Sequence, residues 1–171
     1  LTTAKVSVKK GQTFSVSINL DSQTVQTYTA KASLKFPAKL VRADGFTFGA
    51  GWFPVVQPGY DAIDNANGVL LKTAGLPGGF SGNKFFGTAS FTAIATGEGV
   101  ISIGAESLAL DGGSANTLTG TPSVAISILA PAAPVAPVVP AKPAAPKVEP
   151  IAPTPLPTLE EIATSSEEEL G

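Results

Sequence analysis

At 171 residues the chain has room for one ordinary domain and an appendage, since single domains peak at roughly 100–150 residues. Charged residues make up 14% of it, against about 25% in a typical globular protein, and the net charge of −2 leaves no basic footprint for nucleic acid. With no Cys and no His, disulfide scaffolds, thiolate catalysis, imidazole general bases and zinc sites built on those ligands are excluded.

So few charges imply a surface of Ser, Thr, Asn and Gly, a composition common among secreted β proteins. The chain opens at Leu1 with no basic-then-apolar leader, and no apolar run approaches the ~20 residues of a bilayer span. The expectation is a processed or excised piece of a secreted or cell-surface protein, with membrane attachment only through a C-terminal anchor beyond Gly171.

Ala4–Val8 alternates briefly, and Gly11 turns the chain into a half-buried strand with Phe14, Val16, Ile18 and Leu20 on one side and Thr13, Ser15, Ser17 and Asn19 on the other. Tyr28, Ala30, Ala32, Leu34 and Phe36 repeat the pattern until Pro37, which cannot donate to a ladder. Weaker strands fall near Leu40–Arg42 and Val55–Gln57. Val69–Ala74 follows Asn67-Gly68, a dipeptide suited to a tight hairpin. Phe85–Ala95 is the longest strand, and Val100–Ile103, Ser107–Leu110 and Ser123–Leu129 close the series. No helical period precedes residue 158. About nine strands predict an all-β, two-sheet antiparallel sandwich, jelly-roll-like, over residues 1–129. A module of this size hides roughly two thirds of its unfolded surface and needs no disulfide or structural metal.

From residue 130 the composition changes. Pro131, Pro134, Pro137, Pro140, Pro143 and Pro146 recur every third residue, the period of polyproline II, and the repeat loosens through Pro150 to Pro157. Residues 130–157 are predicted to be a stiff stalk whose ends could stand ~90 Å apart at ~3.1 Å per residue. Residues 158–171 form an acidic tail with five Glu and a capping box in Thr158 and Glu161 ahead of Ile162, disordered or marginally helical on its own.

Four groupings invite a chemical reading. Ser81 and Lys84 have Ser-x-x-Lys spacing, but the flanking glycines Gly75, Gly78, Gly79 and Gly82 deny the helix that would bring Lys behind Ser, and no Gly-Lys-Ser/Thr closes a phosphate loop. Asp61, Asp64, Asn65, Asn67 and Gly68 gather oxygen donors at a turn. The spacing fails an EF-hand, placing Ile63 at the first ligand and Ala74 where the bidentate Glu belongs, which leaves an irregular calcium site or plain turn chemistry. Asp61 with Asp64, or Glu98 with Glu106, could pair for glycoside hydrolysis, although sequence spacing does not set their separation. Trp52, Phe53 and Tyr60 form a loop aromatic cluster that either stacks on a sugar ring or covers one end of the sandwich. No cofactor and no metal is expected.

In the strand from Lys84 to Ala95, the small or apolar Phe85, Gly87, Ala89, Phe91, Ala93 and Ala95 alternate with Lys84, Phe86, Thr88, Ser90, Thr92 and Ile94. The first set is expected to face the core. The second then faces out, and Phe86, Thr88, Ser90 and Thr92 become the candidate contact patch, an aromatic anchor among uncharged hydrogen-bonding groups. The competing expectation is that the preceding glycine-rich loop covers Phe86.

Several segments together resemble the cohesin family. They are Gly11 ahead of Thr13–Leu20, then Phe36-Pro37 with Leu40 where cohesins usually carry an aromatic-Asp-Pro segment (the Asp is missing here). Gly87-Thr88-Ala89-Ser90-Phe91-Thr92-Ala93, Gly97-Glu98-Gly99, Ile101-Ser102-Ile103 and Leu108-Ala109-Leu110-Asp111-Gly112 follow in order. The resemblance implies a nine-stranded sandwich that binds dockerin modules in bacterial cell-surface and cellulosomal proteins. The expected function is therefore a non-enzymatic binding and scaffolding module, monomeric within a longer protein, that presents a sheet face to a protein module. The alternatives are a carbohydrate-binding module that grips polysaccharide through Trp52, Phe53 and Tyr60, or an inert architectural bead of a surface adhesin.

Overall fold

A computed structural model describes residues 5–131. Among these, all regular structure is strand: β1 (Val6–Lys9), β2 (Thr13–Asp21), β3 (Thr27–Lys35), β4 (Val41–Phe48), β5 (Phe53–Pro54), β6 (Asp61–Asp64), β7 (Val69–Phe80), β8 (Asn83–Ala93), β9 (Gly97–Ile103), β10 (Leu108–Asp111) and β11 (Ser123–Leu129). The predicted stalk and tail lie outside the described residues.

The strands make two layers. A three-stranded sheet runs β2-β8-β4, and an eight-stranded sheet runs β1-β11-β9-β3-β7-β5, with β10 also on β3 and β6 also on β7. The all-β sandwich expected from the alternation is the observed architecture. One pair departs from the antiparallel expectation: β1 lies parallel to β11, with Val6 opposite Ile126 and Val8 opposite Ile128. A long-range parallel pair leaves no mark on local alternation.

Alternation places the core as the sequence implies for β2 and β3. Val16, Ile18, Ala30, Ala32 and Leu34 are buried and meet Val41, Leu70, Ile101, Val124 and Ile126 from the other strands. Two aromatic clusters fill the interior. Phe91 stacks on Phe14 at 5.5 Å between ring centroids and meets Phe36 edge-on at 5.4 Å. Phe86 is ringed by Trp52 at 5.0 Å, Phe48 at 5.4 Å and Phe46 at 5.7 Å.

Bulges decide which residues face this core. Opposite the Ala43 to Gly45 step of β4, β8 advances by one residue only, so Asp44 is the extra residue and the later Phe46 and Phe48 turn inward. In β8 the register against β2 jumps from Gly87 to Phe85 while β2 advances from Ile18 to Asn19, which makes Phe86 the extra residue. Gly87 and Phe86 then both face inward, and a Cβ on Gly87 would lie 2.5 Å from the Phe46 ring.

The hairpin expected at Asn67-Gly68 exists but is wider, because β6 precedes β7 and pairs Asp64 with Val69 across a four-residue turn. Gly68 has φ +68°, and its backbone meets the chain just past β3: Phe36 N donates to Gly68 O at 2.8 Å. Strand β6 escaped the sequence reading because it is short, is bordered by Gly59 and Asn65, and lacks a clean alternation.

Candidate functional site: an apolar edge and a hydroxyl face

The connection from β4 to β6 crosses the edge of the eight-stranded sheet. Val55 N donates to Thr73 O at 2.9 Å, Phe53 stands opposite Gly75, and Asp61 stands opposite Lys72, so the whole connection hangs on one side of β7. The Lys72 ammonium and the Asp61 carboxylate pair at 2.5 Å with side chains only 12% and 21% exposed, which pins the returning strand. Along this segment Phe53 is 64%, Val56 77%, Tyr60 47% and Ile63 37% exposed. Four large apolar side chains are thus left open along one sheet edge, Phe53 on the face of Gly75 and Ile63 on the face of Leu70, an exposure of the kind that marks a contact surface.

Trp52 is not part of that exposed set. It is 6% exposed, its indole Nε1 donates to Phe85 O at 2.9 Å, and its ring packs on Phe86 and on Phe80 at 5.8 Å. The expectation that Trp52, Phe53 and Tyr60 form one sugar-stacking platform is corrected for Trp52, which covers the core. Phe53 and Tyr60 remain outside.

The outer face of the three-stranded sheet is a grid of hydroxyls. With β8 in the middle, the rows across it run Thr13–Thr92–Arg42, Ser15–Ser90–Gly45 and Ser17–Thr88–Thr47. The expected outward orientation of Thr88, Ser90 and Thr92 agrees with their half-buried positions. That of Phe86 does not: Phe86 is 0% exposed and its neighbour Phe85 is 42% exposed. The bulge inverts the alternation at this pair, and what covers Phe86 is the Trp52, Phe46 and Phe48 cluster, not the glycine-rich loop. Asp44 borders the grid and accepts at Oδ2 from Thr92 Oγ1 and at Oδ1 from Arg42, and these contacts hold its carboxyl below the ordinary value.

The oxygen donors near residue 64 are engaged structurally. Asp64 Oδ1 accepts from Ala66 N and Asn67 N at 3.0 Å each, and Oδ2 accepts from Asn67 Nδ2 at 2.7 Å; this network lowers the Asp64 pKa, with the Asn67 side chain the largest cause. Asn65 clasps β4, accepting from Ala43 N at 2.7 Å and donating to Ala43 O at 3.0 Å. These are the geometries of turn construction. Among the described residues no group of three or more Asp and Glu is placed to hold a metal ion.

Ser81 and Lys84 sit in the β7–β8 turn and at the start of an extended strand, so no helical turn brings them together. Glu98 lies near the start of β9, paired with Lys5 at 3.4 Å, and Glu106 lies beyond the strand's end at Ile103. Five extended residues span about 17 Å, well beyond the ~5–9.5 Å that separates a glycosidase carboxylate pair.

No protein-family profile matches the chain, and no curated protein sequence is significantly similar to it. Solved structures are similar. A cohesin module of a family 33 glycoside hydrolase from Clostridium perfringens superposes with a TM-score of 0.60 at 15% identity, over 75% of this chain and 93% of that one. The fold is cohesin-like. A type I cohesin–dockerin complex from Clostridium thermocellum matches with a TM-score of 0.57 at 10% identity, over 74% of this chain and 95% of that one. The third cohesin of ScaC from Acetivibrio cellulolyticus, solved with the ScaB dockerin, matches with a TM-score of 0.58 at 16% identity, over 74% and 94%. The cohesin-like domain thus accounts for nearly all of each neighbour's length, and the strand order seen here is carried by sequences that share few residues with it.

Proposed function

We propose that this cohesin-like domain is a non-catalytic protein-binding module that captures a dockerin-type domain and holds it to a larger assembly outside the cell. The observation that carries the reading is the exposed apolar edge of Phe53, Val56, Tyr60 and Ile63 beside β7, on a fold whose solved neighbours include complexes with dockerins. Aromatic anchors flanked by polar strands are the usual composition of a hot spot. The sparsely charged Ser/Thr surface and the proline-rich sequence after residue 130, a spacer by composition, support display at a cell surface or on a scaffold.

The hydroxyl face of Thr88, Ser90 and Thr92, with Phe85 at its end in place of Phe86, is the second candidate surface. Calorimetric titration with a panel of dockerin modules separates the two. The edge reading expects Phe53→Ala with Tyr60→Ala to weaken capture by at least tenfold, and Ser90→Lys to leave it unchanged. The opposite pattern moves the site to the hydroxyl face. Absence of binding across the panel, together with binding on a glycan array that Phe53→Ala and Tyr60→Ala abolish, would replace the protein partner by polysaccharide.

A further inference from the structure

The edges of the two sheets are unequally protected. An unpaired edge strand offers a row of free N–H and C=O groups to any other strand, and folds blunt it with charges, prolines, bulges or a covering segment. On β4, Ala43 N donates to Asn65 Oδ1 at 2.7 Å and Ala43 O accepts from Asn65 Nδ2 at 3.0 Å. On β10, Ala109 N donates to Asn116 Oδ1 at 3.0 Å and Ala109 O accepts from Thr117 N at 2.8 Å. Strand β5 has two residues and ends on Pro54, and β1 has four and ends on Lys9.

Strand β2 has none of these devices. It ends the three-stranded sheet, runs nine residues, and carries no charge and no proline before Asp21. Its register on β8 is unbroken from Thr13 to Ile18. The alternation of an antiparallel ladder says which of its backbone groups point outward. Ala93 N donates to Gln12 O at 2.9 Å, so Gln12, Phe14, Val16 and Ile18 turn their backbone groups toward β8, and Thr13, Ser15 and Ser17 turn theirs away. The same count puts Ala43 on the outward side of β4, where Asn65 meets it. Among the described residues no strand lies beyond β2, and no hydrogen bond reaches the outward backbone of Thr13, Ser15 or Ser17.

We propose that β2 pairs antiparallel with β2 of a second copy of this chain, about a twofold axis at Ser15, joining two three-stranded sheets into one of six. A twofold contact needs a surface that complements itself, and this edge does. With Ser15 opposite its own copy, Thr13 faces Ser17 of the second copy and all three outward residues bond across the axis. Phe14, stacked on Phe91 within its own core, comes beside Val16 of the second copy on the inner side. The exposed Lys9 and Lys10 of each copy approach the exposed Asp21 of the other. A register shift of two residues in either direction moves Asp21 about 7 Å further from Lys9. Along the axis only hydroxyl side chains meet on the outer face, so no like charges oppose each other. The contact is small and belongs to the weak, transient class, and the single module expected from the sequence is its dilute form. It uses the other sheet from the Phe53 and Tyr60 edge and is independent of dockerin capture.

The test is sedimentation equilibrium of the full chain from about 10 µM to about 1 mM, the range in which a small interface associates. A dimer is expected whose share rises with concentration and falls with added salt. Ser15→Lys sets two like charges at the axis and is expected to weaken association at least tenfold while leaving the thermal midpoint unchanged. The chain has no cysteine, so Ser15→Cys reads the register. Residues bonded across an antiparallel pair lie about 5.5 Å apart at Cα, within disulfide reach, and mild oxidation is expected to link two copies at least tenfold faster than with Thr47→Cys. Thr47 is the matched control, exposed on the same face but on β4. A chain that stays monomeric at about 1 mM, association unchanged by Ser15→Lys or lost instead with Phe53→Ala, or equal cross-linking at the two cysteines would each overturn the proposal.

Discussion

Truncating Phe86 to Ala is expected to cost the domain about 3–5 kcal/mol, the range for a fully buried Phe. The upper half of that range applies because three aromatic rings surround it within 5.7 Å of its centroid and each such pair adds about 0.5–1.5 kcal/mol beyond area burial. Phe46 and Phe48 are already braced against each other at 4.8 Å, which limits how far they can relax into the space left behind. Phe85→Ala, at a residue 42% exposed, is expected to cost about 1 kcal/mol or less. Against a total stability of roughly 5–15 kcal/mol, the first change removes a large share and the second a small one. The assay is urea denaturation followed by the fluorescence of Trp52, the single tryptophan, whose ring touches Phe86 and so reports on this cluster directly. Equal midpoints for the two variants, or a larger loss from Phe85→Ala, would refute the bulge and restore Phe86 to the surface.

Asn65→Ala removes both bonds that clasp Ala43 and leaves a partly buried backbone N–H and C=O facing no partner, so a loss of about 1–3 kcal/mol is expected; an unchanged urea midpoint would show that water replaces the clasp freely. The Asp44 carboxyl, held below its ordinary value by the Thr92 hydroxyl and then by Arg42, stabilises the fold fully above the unfolded-state value near 3.8 and loses that contribution as pH falls through the lower folded value. Asp44→Asn is therefore expected to flatten the fall in stability below pH 4, and parallel pH profiles for variant and parent would contradict it.

What the sequence determined is the class of fold and most of its strands. The alternation in β2 runs uninterrupted, and an unbroken period of two fixes which side is buried, because one apolar face must be hidden whatever the partner; in β3 the apolar side is buried as read, but the polar side is buried too at Thr27 and Ser33. The turn residues around Asn67-Gly68 were legible for the same local reason. Phe53 and Tyr60 could be singled out as aromatics in a loop, but their exposure could not be separated from the burial of Trp52, since all three share composition and neighbourhood. Only the indole N–H reaching Phe85 O, across 33 positions of sequence, draws Trp52 inward.

Tertiary structure alone decided the phase of β8 beyond Gly87 and of β4 beyond Ala43. A bulge shifts the alternation by one residue, and its position is chosen by the register of the partner strand and by which ring fits the interior, neither of which is written in the strand's own residues. The parallel pairing of β1 with β11 and the division of labour between β9 and β10 along β3 are likewise products of long-range placement. The apolar edge depends on the same placement: the exposure of Val56 and Ile63 follows from the β4–β6 connection lying beyond the last long strand, where no further layer covers it.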